Sequence, residues 1–160
     1  MRQPQSKFIT VINHVTTLWK RAPGTIPKPT GKNRSISRGP VINLPELQKL
    51  IRDKTIDFDN DQLWPATRKC RYDITERYGW EYTQIAQMIC ALKPGTGVQG
   101  DYRKSEWCEV DGGELYPCDI YHLPFDEERG VRNPSGLVIY IKFSLTDQGD
   151  IVLVLVSCHL

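Results

Sequence analysis

The C-terminal segment 136–160, GLVIYIKFSLTDQGDIVLVLVSCHL, decides the fold of this chain. It contains two apolar runs, LVIYIKFSL and DIVLVLVSCHL, on either side of a polar stretch around Gln148-Gly149. β-Branched and aromatic residues favour strands, and a glycine-containing turn between two such runs is typical of a β-hairpin. The segment therefore predicts a two-stranded antiparallel hairpin.

One face of this hairpin carries polar side chains. Alternation along the first strand directs Tyr140, Lys142 and Ser144 away from the apolar side chains between them. With Gln148-Gly149 as the turn, the register gives three cross-strand pairs: Lys142 with Leu155, Tyr140 with Ser157 and Val138 with His159. Tyr140 and His159 then become diagonal neighbours, roughly 7–8 Å apart. A three-residue loop would shift the pairing by one residue and turn His159 to the core face.

In the predicted register a phenol, an ammonium and an imidazole meet on one side of the sheet. They belong to Tyr140, Lys142 and His159. Such groups together can bind and cut a phosphodiester, because they supply proton donors, a proton acceptor and a positive charge. The alternative is that the tyrosine and lysine are simply solvated on an exposed strand. The hairpin alone leaves both interpretations open.

Charge is unevenly distributed along the 160 residues, although the formal net charge is only +2. Residues 1–42 contain eight Lys or Arg and no Asp or Glu, whereas residues 43–160 contain 13 basic and 19 acidic residues. The length fits one compact domain with an appendage. We therefore divide the chain into a basic N-terminal arm and linker, 1–42, and a folded domain, 43–160. The arm is a contact for a polyanion or acidic partner, a solvated tail, or a segment that lies across its own folded domain.

The cysteines favour a reducing compartment. None of the five, at positions 70, 90, 108, 118 and 158, forms a CxxC pair, so we expect no zinc or other metal site and no cofactor. An odd number of cysteines without a secretory signal is typical of reduced thiols. No apolar stretch reaches the length of a signal-peptide core or a membrane span. The sequence therefore predicts a cytoplasmic protein.

Helical periodicity is concentrated before residue 93. Apolar spacing predicts four helices, over 7–20, from Asn43 to about Asp53, over Ala66–Tyr78 and over Glu81–Leu92. Asn43 with Glu46 three residues later is a capping-box signature. Residues 21–42, rich in Pro, Gly and Ser, are typical of a linker. A DNA-reading helix-turn-helix is the alternative for the last two helices, but Gly79 between them is an ordinary C-cap.

The pattern after residue 95 is that of strands. Lys104–Val110 and Tyr116–Leu123 are predicted strands joined by a turn at Asp111-Gly112-Gly113, and an acidic loop over 124–135 leads to the hairpin. Helices followed by consecutive strands predict an α+β domain, with the helices packed on one face of an antiparallel sheet. The other face is expected to be open to solvent or substrate.

The order of several short motifs resembles a known family. The runs ELQKLIRDKTI, RYDITERYGW, IAQMICAL, DYRKSEW, CDIYHLPF, GLVIYIKFSL and VLVSCHL follow one another from about residue 43 to residue 160. This order is similar to that of the MqsR-type toxins of bacterial toxin–antitoxin systems. The resemblance implies a RelE-like α+β fold, a sequence-selective endonuclease activity on mRNA, and inhibition by a cognate antitoxin protein.

Two functional residues of that family match this chain and two differ. The family's lysine after the helices matches Lys104 in DYRKS, and its strand tyrosine matches Tyr140 in YIK. Cys118 stands where the family usually has glutamine, and His159 stands where it usually has lysine. The resemblance therefore implies catalytic roles for Lys104 and Tyr140, and places a histidine where a simple cation is usual.

The chemistry of RNA cleavage assigns roles to these residue types. A base must take the 2′-hydroxyl proton, a cation must stabilise the phosphorane, and an acid must protonate the 5′-oxygen. Lys104 or Arg103 suits the cation, Tyr140 can donate a hydrogen bond or a proton, and His159 can act as base or acid because imidazole titrates near neutral pH. Lys142 would steer phosphates. His122 is either a second histidine of the site or a structural histidine beside a proline bend.

The leading hypothesis is thus a metal-independent mRNA endonuclease, the toxin of a type II pair, with Lys104, Tyr140 and His159 as catalytic residues. Arg103, His122 and Lys142 would contact RNA. The products would be a 2′,3′-cyclic phosphate or 3′-phosphate and a 5′-hydroxyl. The alternative is a non-catalytic nucleic-acid-binding or antitoxin-docking regulator on the same fold, in which the basic arm carries the function.

Overall fold

Three helices precede the long strands of the sheet within the described residues. The computed structural model describes residues 18–146 and 149–160, so most of the helix predicted over 7–20 lies outside the described residues. The helices are α1 (Leu44–Arg52), α2 (Arg68–Tyr72) and α3 (Tyr82–Ala91). A π-helical turn, Asp73–Arg77, continues α2. Short 3-10 turns lie at Pro23–Thr25, Phe58–Asn60 and Gly97–Gln99.

Side-chain caps fix where these helices begin. The Asn43 side chain accepts a hydrogen bond from the Glu46 main-chain N–H at 3.2 Å, which confirms the predicted start of α1. Thr67 caps α2 in the same way. Before α3, Glu81 and Gln84 form a reciprocal capping box. The helix predicted over Ala66–Tyr78 is shorter than expected, because regular α-geometry ends at Tyr72 and gives way to the π-helical turn.

Seven strands form one sheet within the described residues. They are β1 (Ser35–Ile36), β2 (Leu63–Pro65), β3 (Tyr102–Glu109), β4 (Leu115–Asp126), β5 (Val131–Arg132), β6 (Leu137–Leu145) and β7 (Leu153–His159). Their order is β1-β3-β4-β6-β7-β2, with β5 paired to β4. Only the β2–β7 pair is parallel. The chain is therefore a mixed α+β protein with a mostly antiparallel sheet, as predicted.

The helices pack on one face of this sheet. Ile85 and Met88 of α3 are fully buried in the same cluster as Tyr121, Phe143 and Leu155 of the sheet. A smaller apolar cluster covers part of the opposite face; its buried members are Ala66, Cys108, Val110, Cys118, Val154 and Val156. The remainder of that opposite face, which we call the open face, is accessible.

The prediction that residues 21–42 form a linker is wrong, because this segment is packed against the folded domain. β1 extends the sheet beside β3, and Ile26, Ile36 and Ile42 are buried in the main core. The buried Asp119 carboxylate accepts hydrogen bonds from the main-chain N–H groups of Val41 and Ile42, each at 2.9 Å. The prediction failed because it was based on the Pro, Gly, Ser and basic residues of the segment. The few apolar side chains between them decide how the segment packs.

The acidic loop predicted over 124–135 is also partly wrong. β4 continues to Asp126, and β5 pairs with its end at Phe125 and Asp126. Arg132 on β5 forms two hydrogen bonds to the buried Asp101 carboxylate, and this ion pair ties the segment to the start of β3. Pro124 does not interrupt the strand: it pairs with Val138 of β6, and its carbonyl oxygen accepts a hydrogen bond from the Asn133 main-chain N–H at 3.1 Å.

The C-terminal hairpin forms as predicted, but in a different register. Leu145 pairs with Leu153 and Phe143 with Leu155, so the connection is longer than the predicted two-residue turn; Gln148 of that turn lies outside the described residues. Beyond Phe143 the pairing shifts by one residue, with Val156 as the extra residue of a β-bulge.

The bulge determines which face His159 occupies. Without it, the register near the connection would place His159 on the core face. The extra residue restores the alternation, so that Lys142 pairs with Ser157 and Tyr140 pairs directly with His159. Tyr140 and His159 therefore share the open face as predicted, but as a direct pair rather than as diagonal neighbours.

No helix among the described residues is both long enough and apolar enough to cross a bilayer.

Candidate active site on the open sheet face

A pocket of about 220 Å³ lies on the open face across the middle strands. Its walls combine positive, acidic, aromatic and hydroxyl groups, supplied by Lys104, Glu106, Ile120, Tyr140, Ile141, Lys142, Ser157 and His159. Four of the six residues predicted from the sequence therefore line one pocket. The remaining two, Arg103 and His122, lie beside it on β3 and β4.

Two rows of side chains cross the sheet at this place. The first row runs from Lys104 through Ile120 and Lys142 to Ser157, and the second runs from His122 through Tyr140 to His159. Neighbouring strands are about 4.8 Å apart. Lys142 therefore lies closer to the Tyr140–His159 pair than Lys104 does, because Lys104 is two strands away from β6.

The second row is a ladder of rings. The centroids of His122 and Tyr140 are 4.3 Å apart in an edge-to-face arrangement, and those of Tyr140 and His159 are 5.5 Å apart and nearly parallel. Tyr140 is 41% exposed, so the phenol is accessible from solvent. Both histidines thus flank the tyrosine, which is the geometry that a two-histidine arrangement requires.

His122 is held in one neutral tautomer by Arg103. The Arg103 Nε–H donates a hydrogen bond to His122 Nδ1 at 3.2 Å. An imidazole nitrogen that accepts a hydrogen bond carries no proton, so the proton of neutral His122 lies on Nε2. Partial burial, and then the positive charge of Arg103, lower the pKa of His122 below its ordinary value. His122 is therefore a neutral hydrogen-bond donor at neutral pH.

His159 has the opposite tautomer. Its Nδ1 lies 3.0 Å from the main-chain oxygen of Leu160. A main-chain oxygen only accepts hydrogen bonds, so in neutral His159 Nδ1 carries the proton and Nε2 keeps the lone pair. The two histidines that flank Tyr140 consequently differ in function: neutral His159 can accept a proton at Nε2, whereas neutral His122 can only donate from that atom.

Two pocket residues were missed from the sequence. Glu106 forms an ion pair with Lys142, with the carboxylate oxygen and Nζ 3.3 Å apart, and Ser157 pairs with Lys142 across β6 and β7. Burial by itself would lower the pKa of Lys142, but the negative groups of Cys108 and Glu106 raise it. Alternation from Lys104 to Glu106, and from His159 back to Ser157, could have indicated both.

Cys118 does not reach the pocket. It is fully buried in the smaller apolar cluster, and burial raises the pKa of its thiol far above the ordinary value. A buried neutral thiol is a poor nucleophile. Cys118 is therefore a packing residue, and it contributes no hydrogen-bond donor to the site.

Comparison with known proteins gives no relative. The chain matched no family model, no curated protein and no solved structure. Chemical interpretation of the site therefore depends on its geometry and on the order of sequence motifs. The geometry brings one potential base, two cations, a phenol and a carboxylate to one concave surface.

Proposed function

We propose that this protein is an endoribonuclease whose active site is the open-face pocket. The observation that carries the proposal is the convergence of Lys104, Tyr140, Lys142 and His159 from three strands on one accessible pocket. Cations paired with an imidazole suit a phosphodiester better than a neutral substrate, because phosphate oxygens favour Lys and Arg.

A cleavage mechanism follows from the tautomers. Nε2 of His159 takes the proton of the ribose 2′-hydroxyl, and the resulting oxygen attacks the adjacent phosphorus. Lys142 and Lys104 stabilise the negative charge that develops on the phosphorane. The Tyr140 hydroxyl donates a hydrogen bond to the phosphate or a proton to the departing 5′-oxygen. The products are a 2′,3′-cyclic phosphate and a 5′-hydroxyl.

RNA has a clear route to the pocket. The open face beside it is accessible and bordered by Arg103 and His122, which supply a positive charge and a neutral N–H donor. Single-stranded RNA is bound by such combinations of cations with rings on which bases stack. A duplex is too wide for a pocket of this volume, so the proposed substrate is single-stranded RNA. The resemblance to MqsR-type toxins narrows the proposal to mRNA.

The biological role that we propose is the toxin of a type II toxin–antitoxin pair. The order of motifs resembling MqsR-type toxins supports this role, and so does the arrangement of helices on one face of a mostly antiparallel sheet, which is compatible with a RelE-like fold. An antitoxin protein would be the second partner. Expression of the chain should then arrest growth, and co-expression of the protein encoded beside it should restore growth.

Product analysis tests the activity directly. We expect the purified protein to cut a long single-stranded RNA in the presence of EDTA and to leave 2′,3′-cyclic phosphate and 5′-hydroxyl ends. The same RNA with 2′-O-methyl riboses should remain intact, because the attacking hydroxyl is blocked. Binding that weakens steeply with salt while the unmodified RNA stays intact would instead support the non-catalytic regulator.

A further inference from the structure

A tyrosine outside the pocket is linked to the catalytic histidine through one residue, Leu160. Tyr78 follows the π-helical turn, and its hydroxyl oxygen accepts a hydrogen bond from the Leu160 main-chain N–H at 3.2 Å. The main-chain oxygen of the same Leu160 accepts the hydrogen bond from His159 Nδ1. Tyr78 therefore holds the main-chain N–H of the residue whose oxygen sets the tautomer of His159.

Tyr78 is itself held firmly in place. Its ring stacks on Trp80, with centroids 4.4 Å apart and planes at 17°, and the Arg77 guanidinium lies 5.1 Å from the ring centroid on Tyr78. Trp80 is buried and donates its indole N–H to the Glu127 carboxylate at 2.9 Å. The hydroxyl of Tyr78 is thus fixed relative to the end of β7.

The π-helical turn sets the direction of Tyr78. Each residue of an α-helix advances by about 100° around the axis, since one turn contains 3.6 residues. A π-helical turn accommodates one extra residue, so an uninterrupted α-helix through Asp73–Arg77 would rotate Tyr78 away from Leu160. π-Helical turns recur at functional sites for reasons of this kind. The position of Tyr78 therefore depends on the irregular part of the helix.

We propose that Tyr78 is a positioning residue for His159. Its hydroxyl anchors the Leu160 N–H and thereby orders this residue, whose main-chain oxygen keeps the proton on His159 Nδ1 and leaves Nε2 free to act as the base. The catalytic consequence rests on the proposed nuclease function, whereas the tautomer does not. Without the hydroxyl Leu160 loses this anchor, and His159 populates both neutral tautomers.

The Tyr78→Phe substitution tests the proposal, because it keeps the ring stack and removes only the oxygen. Nitrogen NMR of the ¹⁵N-histidine-labelled full chain should show the Nδ1–H form of His159 in the parent and a mixture of tautomers in Tyr78→Phe. The turnover rate on RNA should fall about three- to tenfold, the loss expected for one hydrogen bond, with KM unchanged. In a His159→Ala background the same substitution should not change the residual rate.

The matched control is Tyr72→Phe, since Tyr72 is 58% exposed on the preceding helix. It should change neither the His159 spectrum nor the rate. An unchanged His159 tautomer in Tyr78→Phe overturns the proposal, whether or not the parent cuts RNA. A mixed tautomer in Tyr78→Phe, together with a parent that fails to cut RNA, supports the positioning contact and overturns only the nuclease assignment. A mixed tautomer with an unchanged cleavage rate overturns the catalytic consequence.

Discussion

At the scale of single residues, the two site histidines differ through their partners. Sequence alternation predicted that Tyr140 and His159 share a face, and the structure confirms it. The tautomers were beyond sequence reasoning, because they depend on Arg103 for His122 and on the Leu160 main chain for His159. A single hydrogen bond decides which ring nitrogen carries the proton, and the periodicity of apolar residues does not report such a bond.

The Arg103–His122 contact gives the first prediction. In Arg103→Ala the pKa of His122 should rise toward its ordinary value, because one of the two causes that lower it is removed while burial remains. Proton NMR titration measures this change. Arg129→Ala, at an exposed arginine on the β4–β5 turn, is the control and should leave His122 unchanged. The same His122 pKa in Arg103→Ala and the parent would contradict the assigned contact.

The direction of the His122 shift also predicts a pH dependence of stability. The folded-state pKa lies below the unfolded value of about 6.5, so the unfolded chain binds more protons in the window between them. The contribution of His122 to the free energy of unfolding is therefore complete above about pH 6.5 and is lost as the pH falls. Urea unfolding between pH 5 and 8 should show a smaller loss on acidification in His122→Gln than in the parent, and an equal loss would refute it.

At the scale of elements, sequence patterns located the long helices and strands but not the short ones. α1, α3 and the strands of the hairpin have clear caps or alternation, so their positions were predicted. β1 and β2 contain two and three residues, too few for a period to show, and they exist because neighbouring strands offer free edges. The bulge at Val156 was likewise unpredictable from the sequence. It reconciles the register that the connection imposes near Leu145 with the placement of His159 on the open face.

Asp119 on β4 supports the attachment of residues 41 and 42 to the sheet, and this gives an element-scale prediction. Asp119→Ala leaves two buried main-chain N–H groups and the Ser105 hydroxyl without their acceptor. We expect a loss of about 3 kcal/mol or more in the free energy of unfolding. Asp126→Ala removes an acceptor of two main-chain N–H groups in an exposed turn, and should cost less than about 1 kcal/mol. Equal losses in urea unfolding would contradict this role of Asp119.

At the scale of the whole molecule, the sheet gathers residues that are distant in sequence. Lys104 and Lys142 lie in one row although 38 positions separate them in the numbering. Family resemblance and alternation predicted most of the open-face set, and the structure adds Glu106 and Ser157. The charge asymmetry was a weaker guide: the basic segment that the structure describes, from residue 18 to residue 42, is packed on the sheet.

The two pocket lysines should dominate the salt dependence of RNA binding. For single strands the slope of log K against log salt changes by about 0.7 for each phosphate contact. Replacing both Lys104 and Lys142 with Ala, in a His159→Ala background that prevents cleavage, should reduce the slope by about 1.4. The matched control replaces Lys49 and Lys54, exposed in and just after α1 on the helical side of the molecule. A slope reduced equally by both double variants would place the RNA elsewhere.

The most direct test of the open-face active site is the rate at which His159→Ala and Tyr140→Phe cut a long single-stranded RNA in EDTA. Circular dichroism must first show that both variants are folded, and Tyr72→Phe serves as the tyrosine control. We predict a loss of about 10²-fold or more for His159→Ala, because a positioned acid–base group contributes about 10²–10⁴-fold, a smaller loss for Tyr140→Phe, and none for Tyr72→Phe. Cleavage by His159→Ala and Tyr140→Phe at the parent rate would contradict the assignment of the site.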